Sequence, residues 1–261
     1  MNGIQGKVTI ITGGTRGIGK GIGERMAVEG ARLIIVGIDE ERADKTAAQL
    51  RQGGASVEAY LANLRSVSEI DALTAYVYNK YGSIDILINN AGVQIREWAT
   101  EFEEEKYDLL MDVNLKAYYF ASRAAAKYMK TQKNGGSIVC ISSGNSERFT
   151  SKRSPYNISK AAVNALVGTL SVEWCRYNIR INAVAPGYVM TDMIKKGIDD
   201  GILDMDNIYK VIPMKRCMTI GEISSGVCFL ASEEASGITG QVLFIDGGWS
   251  RCGLPEEMDM L

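Results

Sequence analysis

The chain contains no histidine. The side chain that most often moves protons near neutral pH is therefore missing, and any acid/base chemistry must use another group. With no histidine and no C-x-x-C pair among Cys140, Cys175, Cys217, Cys228 and Cys252, the sequence speaks against a zinc site, and no other metal site is expected. An odd number of unpaired cysteines suits reduced, mostly buried thiols in a cytoplasmic protein rather than a disulfide framework. No basic run stands out, and 29 basic against 31 acidic residues leave a net charge of −2. That argues against nucleic acid or an anionic membrane as the main partner. No apolar stretch approaches the ~20 residues of a membrane-spanning helix. Met1-Asn2-Gly3-Ile4-Gln5-Gly6-Lys7 leads straight into a strand-like run with no signal-peptide pattern. Nor is there an internal repeat, a low-complexity segment or a linker. With 46% hydrophobic residues, enough for a sizeable core, a single domain over 1–261 is expected.

What is present alternates. Short apolar runs at 7–12, 31–37, 56–61, 84–89, 136–142, 179–184 and 241–245 read as strands. Helical patterns lie between them near 17–29, 40–52, 66–81, 103–130, 154–177 and 219–231. Continuous apolar strands separated by helices predict an α/β fold: a parallel seven-stranded sheet between two helical layers. One long interruption, 187–218, follows the sixth strand. It leaves the carboxyl end of a strand, where such sheets bind ligands, and reads as a substrate lid.

Two local patterns carry chemistry. After the first strand comes Gly13-Gly14-Thr15-Arg16-Gly17-Ile18-Gly19, then a helix and a second strand. In a βαβ unit such glycines let the backbone approach a pyrophosphate and set it at a helix N-terminus. Farther on, Tyr156 and Lys160 stand four apart behind Pro155, at the start of a helical run. Residues at that spacing share a helix face. A cation beside a phenol favours phenolate, so the pair can replace the absent histidine. The alternative is that both are ordinary surface residues.

Together with further motifs, these residues make the chain resemble a single-domain short-chain dehydrogenase/reductase. Thr12-Gly13-x-x-x-Gly17-x-Gly19, Asn89-Asn90-Ala91-Gly92, Asn114, Ser143 thirteen residues before Tyr156, Pro186-Gly187, Thr191 and Asp246-Gly247-Gly248 occur in the family's order. The resemblance implies a doubly wound Rossmann-type fold and an NAD(P)-linked exchange between a secondary alcohol and a ketone. It implies Tyr156 as acid/base and Lys160 as the cation that lowers the Tyr156 pKa and holds the nicotinamide ribose. Ser143, preferred to Ser142 on spacing, would orient the substrate oxygen, and Asn114 would hold a water beside Lys160. The cofactor would be held by Gly13, Thr15, Arg16, Gly17, Ile18, Gly19, Ile38, Asp39, Asn63, Leu64, Asn90, Tyr156, Lys160, Val189 and Thr191.

Cofactor choice turns on the end of the second strand, Val36-Gly37-Ile38-Asp39-Glu40. The family's usual acidic position falls on Gly37, and no basic residue replaces it. Asp39 and Glu40 make the mouth negative and lean the reading to NAD(H) over NADP(H), although Asp39 also suits a helix N-cap. Arg16 is the available partner for a 2′-phosphate. On the substrate side, Gln94, Arg96, Asn145, Glu147 and Arg153 are polar and suit a sugar, polyol or hydroxy acid; facing solvent at the rim is their other reading. A hydroxysteroid under the methionines of 187–218 and a 3-oxoacyl thioester are the other substrates. A cofactor sensor without activity would not need Ser143, Tyr156 and Lys160 together. A homotetramer is expected from apolar positions beyond one stripe. These are Leu110, Val113, Ala117, Phe120 and Ala124 on one helix and Ala162, Ala165, Thr169 and Val172 on another. The last strand, with Val242, Leu243, Phe244 and Trp249, adds a sheet edge that a partner would cover. The tail to Leu261 is expected to reach toward a neighbouring cleft.

Overall fold

The computed structural model describes residues 1–201 and 203–253. Seven strands form one sheet: β1 (Val8–Thr12), β2 (Arg32–Gly37), β3 (Ser56–Leu61), β4 (Ile86–Asn89), β5 (Gly136–Ile141), β6 (Ile179–Pro186) and β7 (Val242–Ile245). All neighbours are parallel, in the order β3-β2-β1-β4-β5-β6-β7. Successive side chains on each strand point to opposite faces. Val8, Ile10, Ile34 and Val36 accordingly enter one core, and Ile11, Leu33 and Ile35 enter the other. Both faces are covered, which is why the strands read as unbroken apolar runs.

The helices are α1 (Gly17–Val28), α2 (Glu40–Gln52), α3 (Val67–Tyr81), α4 (Glu104–Met111), α5 (Ala117–Met129), α6 (Ser154–Trp174), α7 (Asp192–Asp199), α8 (Met205–Lys210) and α9 (Ile220–Ala231). Ile22 and Met26 of α1, Leu50 of α2 and Val227 of α9 fill one core. Leu73 of α3, Ala121 and Ala125 of α5 and Val167 of α6 fill the other. The chain runs outward from β1 to β3, returns to β4 and continues the other way. The carboxyl ends of β1 and β4 therefore flank the crevice where such sheets take ligands. Among the described residues no helix is long and apolar enough to cross a membrane.

Three expectations differ from what is found. The helix expected over 103–130 is broken by a π-helical turn, Asp112–Lys116, between α4 and α5. The wide turn swings Asn114 inward, where its amide brackets Val93: Oδ1 accepts from the Val93 N–H at 2.8 Å and Nδ2 donates to its carbonyl at 2.9 Å. The interruption at 187–218 holds two short helices, α7 and α8, capped by Thr191 and Asp204. Trp249, expected on an exposed sheet edge, is 3% exposed and packs edge-on to Tyr188 at 5.3 Å. The turn at Asp246-Gly247-Gly248 folds it back: the Asp246 carboxylate accepts from the N–H groups of Gly248 and Ser250 at 2.9 and 2.7 Å.

Candidate active site

The turn after β1 is a cradle open to a phosphate group. Gly13 and Gly17 have φ of +62° and +52°, a region that favours glycine. A Cβ on Gly13 would meet the Ala91 backbone at 2.8 Å, and one on Gly19 would fall on the Gly13 carbonyl and the Asn90 amide. Asn90 braces the turn, donating from Nδ2 to the carbonyls of Thr12 and Gly13, each at 3.0 Å. Arg16, at the N-cap of α1, is exposed, and no side chain caps that end. The N-terminus therefore suits an anion, and these residues fit a dinucleotide pyrophosphate. Thr15 accepts from Thr46 through its carbonyl at 3.0 Å, and Ile18 packs partly buried on the core below.

At the other side of the crevice Ile38 is 80% exposed beside Gly37. Asp39 is committed to α2: its carboxylate accepts from the Arg42 N–H at 2.9 Å and pairs with the Arg42 guanidinium at 3.3 Å. Asn63 makes an Asx-type turn, accepting from the Arg65 N–H at 3.1 Å, and Leu64 packs against the core. Val189 is buried and bridges to Met218, while Thr191 caps α7.

Tyr156, Lys160, Ser143 and Asn114 converge at the carboxyl ends of β4 and β5. Pro155 in the first turn of α6 starts the helix, and the spacing then brings Tyr156 and Lys160 onto one face. Lys160 is 3% exposed. Its Nζ donates to the Ile141 carbonyl at 2.7 Å and to the Tyr118 hydroxyl at 3.4 Å, and lies 5.9 Å from the Tyr156 ring centroid. Ser143 acts on the Tyr156 phenol, favouring its ionised form against the effect of burial. Ser142 turns away, donating to Asn164 Oδ1 at 2.6 Å and to the Lys160 carbonyl at 3.2 Å. Asn114 Nδ2 lies 3.4 Å from Ser159 Oγ, whose hydroxyl donates to the Tyr156 carbonyl at 2.8 Å.

Burial moves the two titrating groups in opposite directions. It pulls Lys160 down to about 8 and pushes the Tyr156 phenol up, against the opposing Ser143 hydrogen bond and Arg153 charge. The expectation that Lys160 holds the phenol below its ordinary value is therefore not met in this arrangement. The ammonium is turned to the Ile141 carbonyl, and desolvation outweighs the charges nearby.

The substrate-side candidates separate. Asn145 is buried and turned into its own loop, donating to Thr150 Oγ1 at 2.8 Å and Asn157 Oδ1 at 3.1 Å. Glu147 is exposed and pairs with Arg251 at 2.9 Å. Gln94 and Arg96 are exposed on the strand-to-helix connection after β4. Arg153 is buried at the N-terminus of α6, with its Nη1 3.4 Å from Asn145 Oδ1. Sequence reasoning missed Tyr118 and Tyr188, and placed Trp249 on the sheet edge rather than beside the site. Arg148 donates to the Trp249 carbonyl and, at 2.7 Å, to that of Cys252, and a Cβ on Gly144 would meet the Trp249 ring at 2.6 Å. Only Tyr118 had a local signal: it follows Asn114 by four residues, one helical turn.

Residues 13–250 match the profile of a family described as enoyl-(acyl carrier protein) reductase. A 2-dehydro-3-deoxy-D-gluconate 5-dehydrogenase of Escherichia coli K12 is 35% identical over 94% of this chain and 96% of its own length. A 3-oxoacyl-[acyl-carrier-protein] reductase of Thermotoga maritima is 36% identical over 94% and 98%. A gluconate 5-dehydrogenase of Burkholderia cenocepacia J2315, solved with NADP and tartrate, superposes with a TM-score of 0.90 at 32% identity, covering 95% of this chain and 97% of that one.

Proposed function

The chain belongs to the short-chain dehydrogenase/reductase family of NAD(P)-linked oxidoreductases acting on CH–OH groups, and on that premise we propose that it interconverts a ketone and a secondary alcohol on a small polar substrate, a sugar, polyol or hydroxy acid, with NADP(H) as cofactor. The observation that carries the reading is the buried Lys160 one helical turn after Tyr156 on α6, its Nζ on the Ile141 carbonyl at 2.7 Å and 5.9 Å from the Tyr156 ring centroid, beside a glycine cradle. When bound, the nicotinamide supplies or takes the hydride. In reduction Tyr156 would give its phenolic proton to the developing alkoxide, and in oxidation its phenolate would take the alcohol proton, while Ser143 would donate a hydrogen bond to the same oxygen. The raised phenol pKa keeps that proton in place at neutral pH, as a donor requires. Lys160, whose Nζ lies 5.9 Å from the Tyr156 ring centroid, would hold the nicotinamide ribose, and Asn114 holds the Val93 backbone. Residues 1–261 act as one domain, with 187–218 as the lid over the substrate.

The lean to NAD(H) rested on a negative mouth at Asp39 and Glu40. Asp39 is spent on the α2 cap and on Arg42, Gly37 carries no side chain, and Arg16 stands exposed at the α1 N-terminus. That set favours a 2′-phosphate, as does the NADP in the Burkholderia neighbour. Side-by-side kinetics with NADPH and NADH test it: a higher kcat/KM with NADPH is expected, and Arg16→Leu reduces the preference. A clear preference for NADH overturns the choice. A screen of polyols, sugar acids, hydroxy acids, hydroxysteroids and 3-oxoacyl thioesters tests the substrate class; turnover confined to the last two refutes it.

A further inference from the structure

We propose that Arg153 is a carboxylate anchor in the substrate site, so that the enzyme takes a keto or hydroxy acid in preference to the neutral sugar or polyol of the same length. The inference rests on the oxidoreductase reading above and narrows its substrate class.

A guanidinium that is 9% exposed has lost most of its hydration and needs an anion or several acceptors in return. At Arg180 the fold supplies them: it donates to the carbonyls of Leu230, Ile238, Ala231 and Ser232 at 2.8 to 3.3 Å. Arg153 has one neutral acceptor, the Asn145 amide oxygen at 3.4 Å, and no ion pair among the described residues. The two carboxylates on the adjoining loops are held elsewhere. Glu147 pairs with Arg251 at 2.9 Å and Glu97 with Lys106 at 3.0 Å. A second cation, Arg96, acts on Arg153 and disfavours its charge, while the phenols of Tyr156 and Tyr188 act in the opposite sense. A buried guanidinium with no ion pair among the described residues, and a second cation acting on it, form a site that an incoming anion completes.

The position relates this charge to the reacting atoms. Arg153 precedes Tyr156 by one helical turn. Its partner Asn145 donates from its backbone N–H to Ser143 Oγ at 3.1 Å. The guanidinium is thus tied through one residue to the hydroxyl that orients the substrate oxygen. A carboxylate on Arg153 would place a carbonyl a few bonds away against Ser143 and Tyr156. The guanidinium would also serve as a positioning residue if its only effect were on the Tyr156 phenol, and the test must separate the two.

The pair to compare is 5-keto-D-gluconate and L-sorbose, the acid and the neutral ketose that differ only in CO₂⁻ against CH₂OH. Wild type is expected to favour the acid in kcat/KM. Arg153→Gln should cut that preference on the order of 10- to 100-fold, mainly through KM for the acid. Arg153→Lys, which keeps the charge, should recover part of it. An Arg153→Gln enzyme that keeps the preference overturns the proposal, as does an equal loss of kcat on both substrates with a shifted pH profile, which marks a role confined to Tyr156. Tartrate binding in the presence of NADPH, followed by cofactor fluorescence, separates failure of the site from failure of the broader reading. If wild type turns over neither ketose yet binds tartrate in an Arg153-dependent way, the anchor stands and the substrate reading falls. If tartrate binds equally to wild type and Arg153→Gln, the anchor falls.

Discussion

Lys160 and Tyr156 show how one cause, desolvation, moves two neighbouring groups in opposite directions. A lysine with a folded-state pKa of about 8, against about 10.4 when solvated, binds fewer protons folded than unfolded between those values. The cost to stability is therefore complete below pH 8 and is relieved as the pH rises toward 10.4. Lys160→Met should raise the thermal midpoint at pH 7 by about 2–4 °C, since part of the gain is offset by the lost bond to the Ile141 carbonyl. The difference should narrow by pH 10, while turnover drops ~100-fold or more. Melting curves at the two pH values check it, and a lower midpoint at pH 7 would show that the bond outweighs the buried charge. Tyr156→Phe removes only the phenolic oxygen. It should lower kcat by ~10² to 10⁴-fold with little change in cofactor KM; full activity in steady-state assays would refute the proton-transfer role.

Elements position these residues through their ends. The α2 N-cap at Asp39 and the α9 capping box of Thr219 and Glu222 satisfy donors that a helix leaves bare at its start. Asp39→Ala should cost about 1 kcal/mol in denaturant unfolding, and Asp39→Asn should restore most of it. Neither should change the NADPH/NADH ratio more than about twofold; a tenfold rise in that ratio for Asp39→Ala would mean the carboxylate acts on the cofactor, by more than 1 kcal/mol. Most elements were legible because capping residues and apolar spacing are local. Asp39, Ser66 and Thr219 mark starts, and Gly82 marks an end in the left-handed region. The π-helical turn around Asn114 was not legible, since helical spacing runs smoothly through 103–130 and the extra residue per turn is stabilised by the Val93 backbone from another segment.

At the scale of the whole molecule, the apolar helix positions divide. Leu110, Ala117 and Ala124 are consumed by the chain's own core, while Val172 is 77% exposed and Leu243 on β7 also stays exposed. These last faces would be covered in the homotetramer we expect, and light scattering at micromolar concentration should give four times the 28.4 kDa chain. Val172→Lys with Leu243→Lys should reduce the mass, and a monomeric wild type would defeat the expectation. Of the tail expected to reach a neighbour's cleft, residues 254–261 lie outside the described residues.

The sequence by itself determined the order of strands and helices, the glycine cradle and the pairing of Tyr156 with Lys160. Each depends on residues within a turn or two of one another, so spacing alone carries them. Only the tertiary structure decided which polar groups face the reaction and which serve the scaffold. Asn145 and Arg153 look alike as polar residues beside Tyr156, yet one is bonded into its loop and the other is left with a single amide oxygen. Trp249 meets Gly144 across a separation of about a hundred residues, and desolvation of Lys160 takes β5, α5 and α6 together. Burial is a property of surfaces brought together from distant parts of the chain, and it changes both the charge state and the available partners of a residue whose identity the sequence already shows.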